Sequence, residues 1–137
     1  MSKTYISTDL RKLVIERAGL KCEYCLIHED DSHYGHQVDH IISEKHGGQT
    51  TEDNLALACI FCNRAKGSDI GSIIFETNTF VRLFNPRKDI WQEHFTLDGT
   101  EIHSRTDIAT VTIRLLDLNA LERLLERKLL VSLGRYP

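Results

Sequence analysis

An aspartate and a histidine stand side by side inside an apolar run, Val38-Asp39-His40-Ile41-Ile42, and a Cys-x-x-Cys pair lies on either side of it. A carboxylate and an imidazole in a strand-like segment carry a desolvation cost that calls for a return, such as catalysis or ligand binding. Imidazole is also the side chain best suited to exchanging a proton near neutral pH. The pairs Cys22-x-x-Cys25 and Cys59-x-x-Cys62 use every cysteine in the chain. Together they offer four thiolates, the donor set of a closed tetrahedral structural zinc site. A disulfide framework, a rubredoxin-like iron site and a thioredoxin-like redox pair are the competing uses, although a redox pair needs only one of the two motifs. Zinc accounts for both, and its binding free energy would supplement the small core of a short, polar segment, so that stripping the metal unfolds this half first.

Something must position these residues. Gln37 to Ile42 reads as a strand, with Val38 and Ile42 on one face, and Ser43 to Asn54, with Gly47-Gly48, reads as a long loop. Leu55-Ala56-Leu57-Ala58 alternates as a second strand would, but a run this short leaves helix open on periodicity alone. Upstream, Ser7-Thr8-Asp9 predicts the cap of a helix whose Leu10, Leu13, Val14 and Ala18 share a face and which Gly19 stops. Downstream, Phe95 to Ile102 predicts a hairpin turning at Asp98-Gly99. Asn119 with Glu122 predicts a capping box for a helix whose Leu121, Leu124, Leu125 and Leu129 form an apolar stripe, expected to face the core, with a dimer surface as the alternative.

At 137 residues, 41% hydrophobic and 27% charged, the chain has the size and composition of one globular domain, expected to run over 1–137. Residues 1–72 would hold the metal-braced core and 73–137 an extension packed on it. No apolar run is long enough for a membrane span and no leader pattern opens the chain, so the expected compartment is the cytoplasm. The formal net charge of -3 does not advertise a nucleic-acid binder. Its distribution is uneven, however, with Lys3, Arg11, Lys12, Arg17 and Lys21 early and Glu23, Glu29, Asp30 and Asp31 directly after. A phosphate-facing surface would therefore be local, built from Arg11, Lys12, Arg17, Lys45, Arg64 and Lys66.

The series Cys22-x-x-Cys25, Val38-Asp39-His40-Ile41, Gly47-Gly48, Asp53-Asn54-Leu55, Cys59-x-x-Cys62-Asn63 and Lys66-Gly67 resembles the HNH endonuclease family in its compact four-cysteine form. The resemblance runs from about Leu10 to Ser68. It implies an α+β fold in which a ββα-metal core is braced by the four-cysteine zinc site and followed by a C-terminal hairpin and helix extension. In that frame Leu55–Ala58 is a strand, and a helix begins near Ile60, carries Asn63 and ends at Gly67, a residue suited to a left-handed cap. The resemblance makes His40 the general base and Asp39 and Asn63 the ligands of a catalytic divalent cation. Their oxygens suit Mg²⁺ or Mn²⁺. Asn54 would brace the loop and orient His40, and a bend in the strand would let Asp39 and His40 line one cleft. Among the other histidines, His36 lies near enough to His40 to touch substrate. The implied activity is metal-dependent hydrolysis of DNA phosphodiester bonds. One site cuts one strand, so a double-strand break would need a homodimer or two events. The alternative is a non-catalytic zinc-knuckle module that binds nucleic acid or a protein partner.

Overall fold

The computed structural model describes residues 4–137. Helix α1 (Thr8–Ala18) starts where the Ser7 side chain accepts from Leu10 N–H, and it stops at Gly19 in the left-handed conformation. Both ends follow from residue type, because a hydroxyl satisfies an orphan N–H and glycine tolerates positive φ. Two short strands come next, β1 (Gln37–His40) and β2 (Leu55–Ala58), paired antiparallel with Asp39 opposite Ala56 and His40 opposite Leu55. Helix α2 (Ile60–Lys66) closes the ββα unit. Its C-cap Gly67 has positive φ but ψ of -127°, a glycine conformation other than the left-handed cap expected.

All four residues of β2 are buried because both faces of the β1–β2 ribbon are covered. Leu55 and Leu57 join Val14 and Ile6 in a small core under α1. Ala56 and Ala58 face the larger core, which contains all four cysteines. The Leu/Ala alternation therefore follows the space on each side.

The loop between the strands is drawn tight by Gly48. A Cβ there would lie 1.7 Å from the carbonyl oxygen of Ile42, so only glycine permits the approach. Asn54 fastens the same loop: its Oδ1 accepts from Ile42 N–H at 2.9 Å, and its Nδ2 donates to the carbonyls of Ile42 and Gln49 at 3.0 and 2.9 Å.

The extension begins with a hairpin, β3 (Gly71–Ile74) and β4 (Thr79–Arg82). A short helix α3 (Trp91–His94) leads into the expected hairpin, β5 (Phe95–Asp98) and β6 (Glu101–Ser104), with Gly99 at positive φ in its turn. Two helices finish the chain, α4 (Asp107–Leu116) and α5 (Leu121–Ser132). Sequence reasoning did not anticipate β3, β4 or α4. Helix α4 is central nevertheless, burying Ala109, Val111, Thr112 and Leu116. The architecture is α+β, a ββα unit with a four-cysteine cluster behind it.

The apolar stripe of α5 does not face the core. Leu121, Leu125 and Leu129 are 69%, 57% and 60% exposed and Leu124 is half-buried, while Arg123, Arg127 and Leu130 are buried. Arg127 donates to the Thr100 carbonyl at 2.7 Å and to Asn119 Oδ1 at 3.0 Å. Asn119 is not a capping residue either. Its amide bridges the N–H and carbonyl of Ile102 on β6, and the helix opens at Ala120 without a side-chain cap. Hydrogen-bond demand from the neighbouring backbone has overridden the hydrophobic pattern. Among the described residues, no helix is long and apolar enough to cross a membrane.

Candidate active site and metal centre

The four cysteines, drawn from two knuckles far apart in sequence, meet in the core. Their sulfurs all lie within 4.8 Å of one another, and Cys25 Sγ and Cys59 Sγ are 3.7 Å apart. A tetrahedral zinc with Zn–S of about 2.3 Å needs sulfurs about 3.8 Å apart, so the cluster has the size and donor set that zinc requires. Backbone N–H groups of Cys25 and Cys62 point at Cys22 Sγ and Cys59 Sγ, at 3.5 and 3.4 Å. Burial pushes the Cys22 and Cys62 thiols well up, whereas hydrogen bonds from the other cysteines hold Cys25 well down. Crowded, buried thiols of this kind are relieved when a cation takes their protons' place.

The second site is a cleft of about 840 Å³. Five consecutive residues, His36 to His40, line it, which places it along the edge of β1 that β2 leaves unpaired. Asn63 and Arg64 of α2, Arg11 of α1, and Ser43, Glu44 and Lys45 of the loop complete much of its wall. The register of β1 is regular through His40, so Asp39 and His40 point to opposite faces and no bend is needed. Both reach the cleft because it runs along the strand edge.

His40 is buried and its Nε2 lies 2.9 Å from Thr50 Oγ1 and 3.4 Å from Glu44 Oε1. An ionised carboxylate can only accept, so the Nε2–H tautomer satisfies both neighbours and leaves the lone pair on Nδ1. Thr50, which belongs to no motif of the sequence, thus meets the ring, whereas Asn54 works on the loop backbone. His36 donates from Nε2 to the Ile27 carbonyl at 2.9 Å, and its buried Nδ1 has no partner among the described residues.

Asp39 is buried in an ion pair with Lys66, whose Nζ lies 3.3 Å from Oδ1 and 3.2 Å from Oδ2, and it accepts from the Tyr24 hydroxyl at 3.0 Å. Burial raises the Asp39 carboxyl, and Lys66 and Tyr24 pull it back. Lys66 also donates to the His40 carbonyl at 2.9 Å. At 1% exposure it is no surface cation, which corrects its expected place on a phosphate-facing surface. The physical reason is the buried carboxylate, which needs a charge partner within reach. Arg17 is exposed on α1 outside the cleft's lining and donates to the carbonyls of Glu52 and Leu55 at 2.7 Å each. Arg11, Lys45 and Arg64 do line the cleft, while Lys12 is exposed on α1 outside its lining. Asn63 donates from Nδ2 to Gln37 Oε1 at 2.9 Å, turning its Oδ1 the other way.

A ββα unit whose strand presents Asp-His beside an asparagine helix, with four cysteines behind, has a counterpart among known proteins. Residues 22–69 match the HNH endonuclease family. The HNH segment covers about a third of the chain and includes β1, β2, α2 and all four cysteines. Helix α1 and everything after Asp69 lie outside it. No curated protein and no solved structure shows a significant match to the chain.

Proposed function

We propose that the chain is a metal-dependent endonuclease that hydrolyses DNA phosphodiester bonds in the cleft beside β1. The observation that carries this reading is that one cleft gathers His40, Asp39 and Asn63 together with the cations Arg11, Lys45 and Arg64. An imidazole base, a pair of hard oxygen donors and phosphate-binding cations are the parts that phosphodiester hydrolysis requires. A zinc-knuckle binding module would need only the cations.

In this reading His40 accepts the proton of the attacking water at Nδ1, held in the correct tautomer by Thr50 and Glu44. Asp39 and Asn63 would hold Mg²⁺ or Mn²⁺ through a carboxylate and an amide oxygen, the hard donors such ions prefer. That cation, when bound, would neutralise charge on the phosphate and on the departing 3′ oxygen. Lys66 opposes the rise that burial imposes on the Asp39 carboxyl, and it also offsets part of the charge Asp39 offers a cation. Arg11, Lys45 and Arg64 would grip backbone phosphates, which implies little sequence readout.

Nicking of supercoiled plasmid by zinc-loaded protein tests the reading. Cleavage should require added Mg²⁺ or Mn²⁺ and be lost in His40→Ala. DNA binding without cleavage, under varied salt and either metal, would favour the binding module.

A further inference from the structure

A second chemically loaded place lies behind the cysteine cluster, where α5 arrives. Arg123 Nη2 is 3.0 Å from Cys62 Sγ and 3.7 Å from Cys59 Sγ. Its Nη1 donates to the carbonyls of Leu116 and Asp117, at 2.9 and 3.4 Å. Those carbonyls close the C-terminal end of α4, where the helix dipole is negative. The side chain is buried, and the Phe61 ring of α2 lies 6.0 Å from its Cζ.

A buried guanidinium is costly unless its charge and its donors are both answered. Two carbonyls answer one arm. Among the described residues the other arm points at sulfur alone, and neutral thiols would return little for a desolvated charge, whereas thiolates hydrogen-bond strongly to it. A zinc with four thiolates carries a net charge of about -2, itself expensive to bury without a neighbouring cation.

We infer that Arg123 is the outer-sphere cation of the metal centre: it offsets part of the tetrathiolate's charge and slows loss of the zinc. Helix α5, outside the HNH segment, thereby becomes a working part of the site. The Tyr136 hydroxyl, donating to the Cys25 carbonyl at 2.7 Å, fastens the chain's end to the same knuckle. This role requires only a metal held by thiolates and is independent of whether the cleft cuts DNA.

The test is zinc transfer from the loaded full-length chain to a chromogenic chelator, compared for wild type, Arg123→Met and Arg123→Lys. Removing an outer-sphere partner typically costs 10–100-fold in metal affinity, so Arg123→Met should release zinc about 10–100-fold faster. Arg123→Lys, which keeps the charge, should stay close to wild type. In cobalt-substituted protein the thiolate-to-metal absorption of Arg123→Met should move to longer wavelength, because sulfur electrons lose a positive neighbour. Should Arg123→Met fail to fold, Arg123→Gln provides the uncharged comparison while retaining a donor for the α4 carbonyls. Wild-type release by the uncharged variant would overturn the inference. Equal acceleration in the Lys and uncharged variants, with equal losses of melting temperature and no spectral shift, would also overturn it, leaving Arg123 as a mechanical attachment of α5.

Discussion

His40 and Asn63 differ in the way each should fail. His40→Ala removes the proposed base but not the cation's oxygen donors, so cleavage should drop by about 10² to 10⁴ with DNA binding retained. No concentration of Mn²⁺ should restore it. Asn63→Ala weakens cation binding instead, and part of its lost activity should return as Mn²⁺ is raised. A Mn²⁺ titration of both variants reads the contrast directly, and equal rescue of the two would reverse the assignment. Thr50 adds a finer test, since its Oγ1 lies 2.9 Å from His40 Nε2. Thr50→Val should slow cleavage about tenfold, the worth of one hydrogen bond, while Thr50→Ser, which keeps the hydroxyl, recovers most of the rate. A Val variant as fast as wild type would show that the ring needs no such partner.

Helix α5 inverts the usual reading of an amphipathic sequence. Leu121, Leu125 and Leu129 are solvated and its arginines buried beside Leu130, because Arg127 answers a carbonyl of the β5–β6 turn and Arg123 answers the end of α4 and the cysteine sulfurs. Leu125→Asp should therefore change stability by no more than about 0.5 kcal/mol, as exposed substitutions do. Arg127→Met should cost about 1–3 kcal/mol, since it leaves the Thr100 carbonyl without its buried donor and takes from Asn119 Oδ1 one of its two, Ile102 N–H being the other. Denaturant melts of the two variants distinguish the packing modes. A large loss for Leu125→Asp that grows with protein concentration would instead mean that a second copy covers the leucine stripe.

At the scale of the molecule, the larger core runs from Cys22 to Tyr136 and so joins the HNH segment to its extension. Removing the metal should then abolish the tertiary aromatic signal throughout the chain rather than in the cysteine-bearing half alone. Near-UV circular dichroism during chelation checks this, and an extension that stays folded after zinc loss would contradict it. The cations divide in a parallel way. Replacing Arg11, Lys45 and Arg64 together by Ala should flatten the salt dependence of DNA binding by about 0.9 for each phosphate no longer neutralised. Arg17→Ala should leave that slope unchanged and lower the melting temperature, because its guanidinium holds the carbonyls of Glu52 and Leu55. A slope altered by Arg17→Ala would return that residue to the interface.

What the amino-acid sequence determined by itself was local or chemically unmistakable. Ser7 and Gly19 mark the ends of α1, Asp98-Gly99 marks a turn, and the two Cys-x-x-Cys pairs supply the four thiols of one cluster. Asp39, His40 and Asn63 were legible as a set through the resemblance to the HNH pattern, which implies a role for each. Only the tertiary structure decided which cations are free. Lys66 looks like a surface charge in sequence, yet a buried carboxylate claims it, and the exposed Arg17 is tied to two carbonyls. Thr50 and Arg123 were illegible for the same reason, since the His40 ring lies 10 residues from Thr50 and the cysteine sulfurs more than 60 residues from Arg123. A buried polar atom must find a partner wherever the fold supplies one, and periodicity records only the apolar half of that requirement.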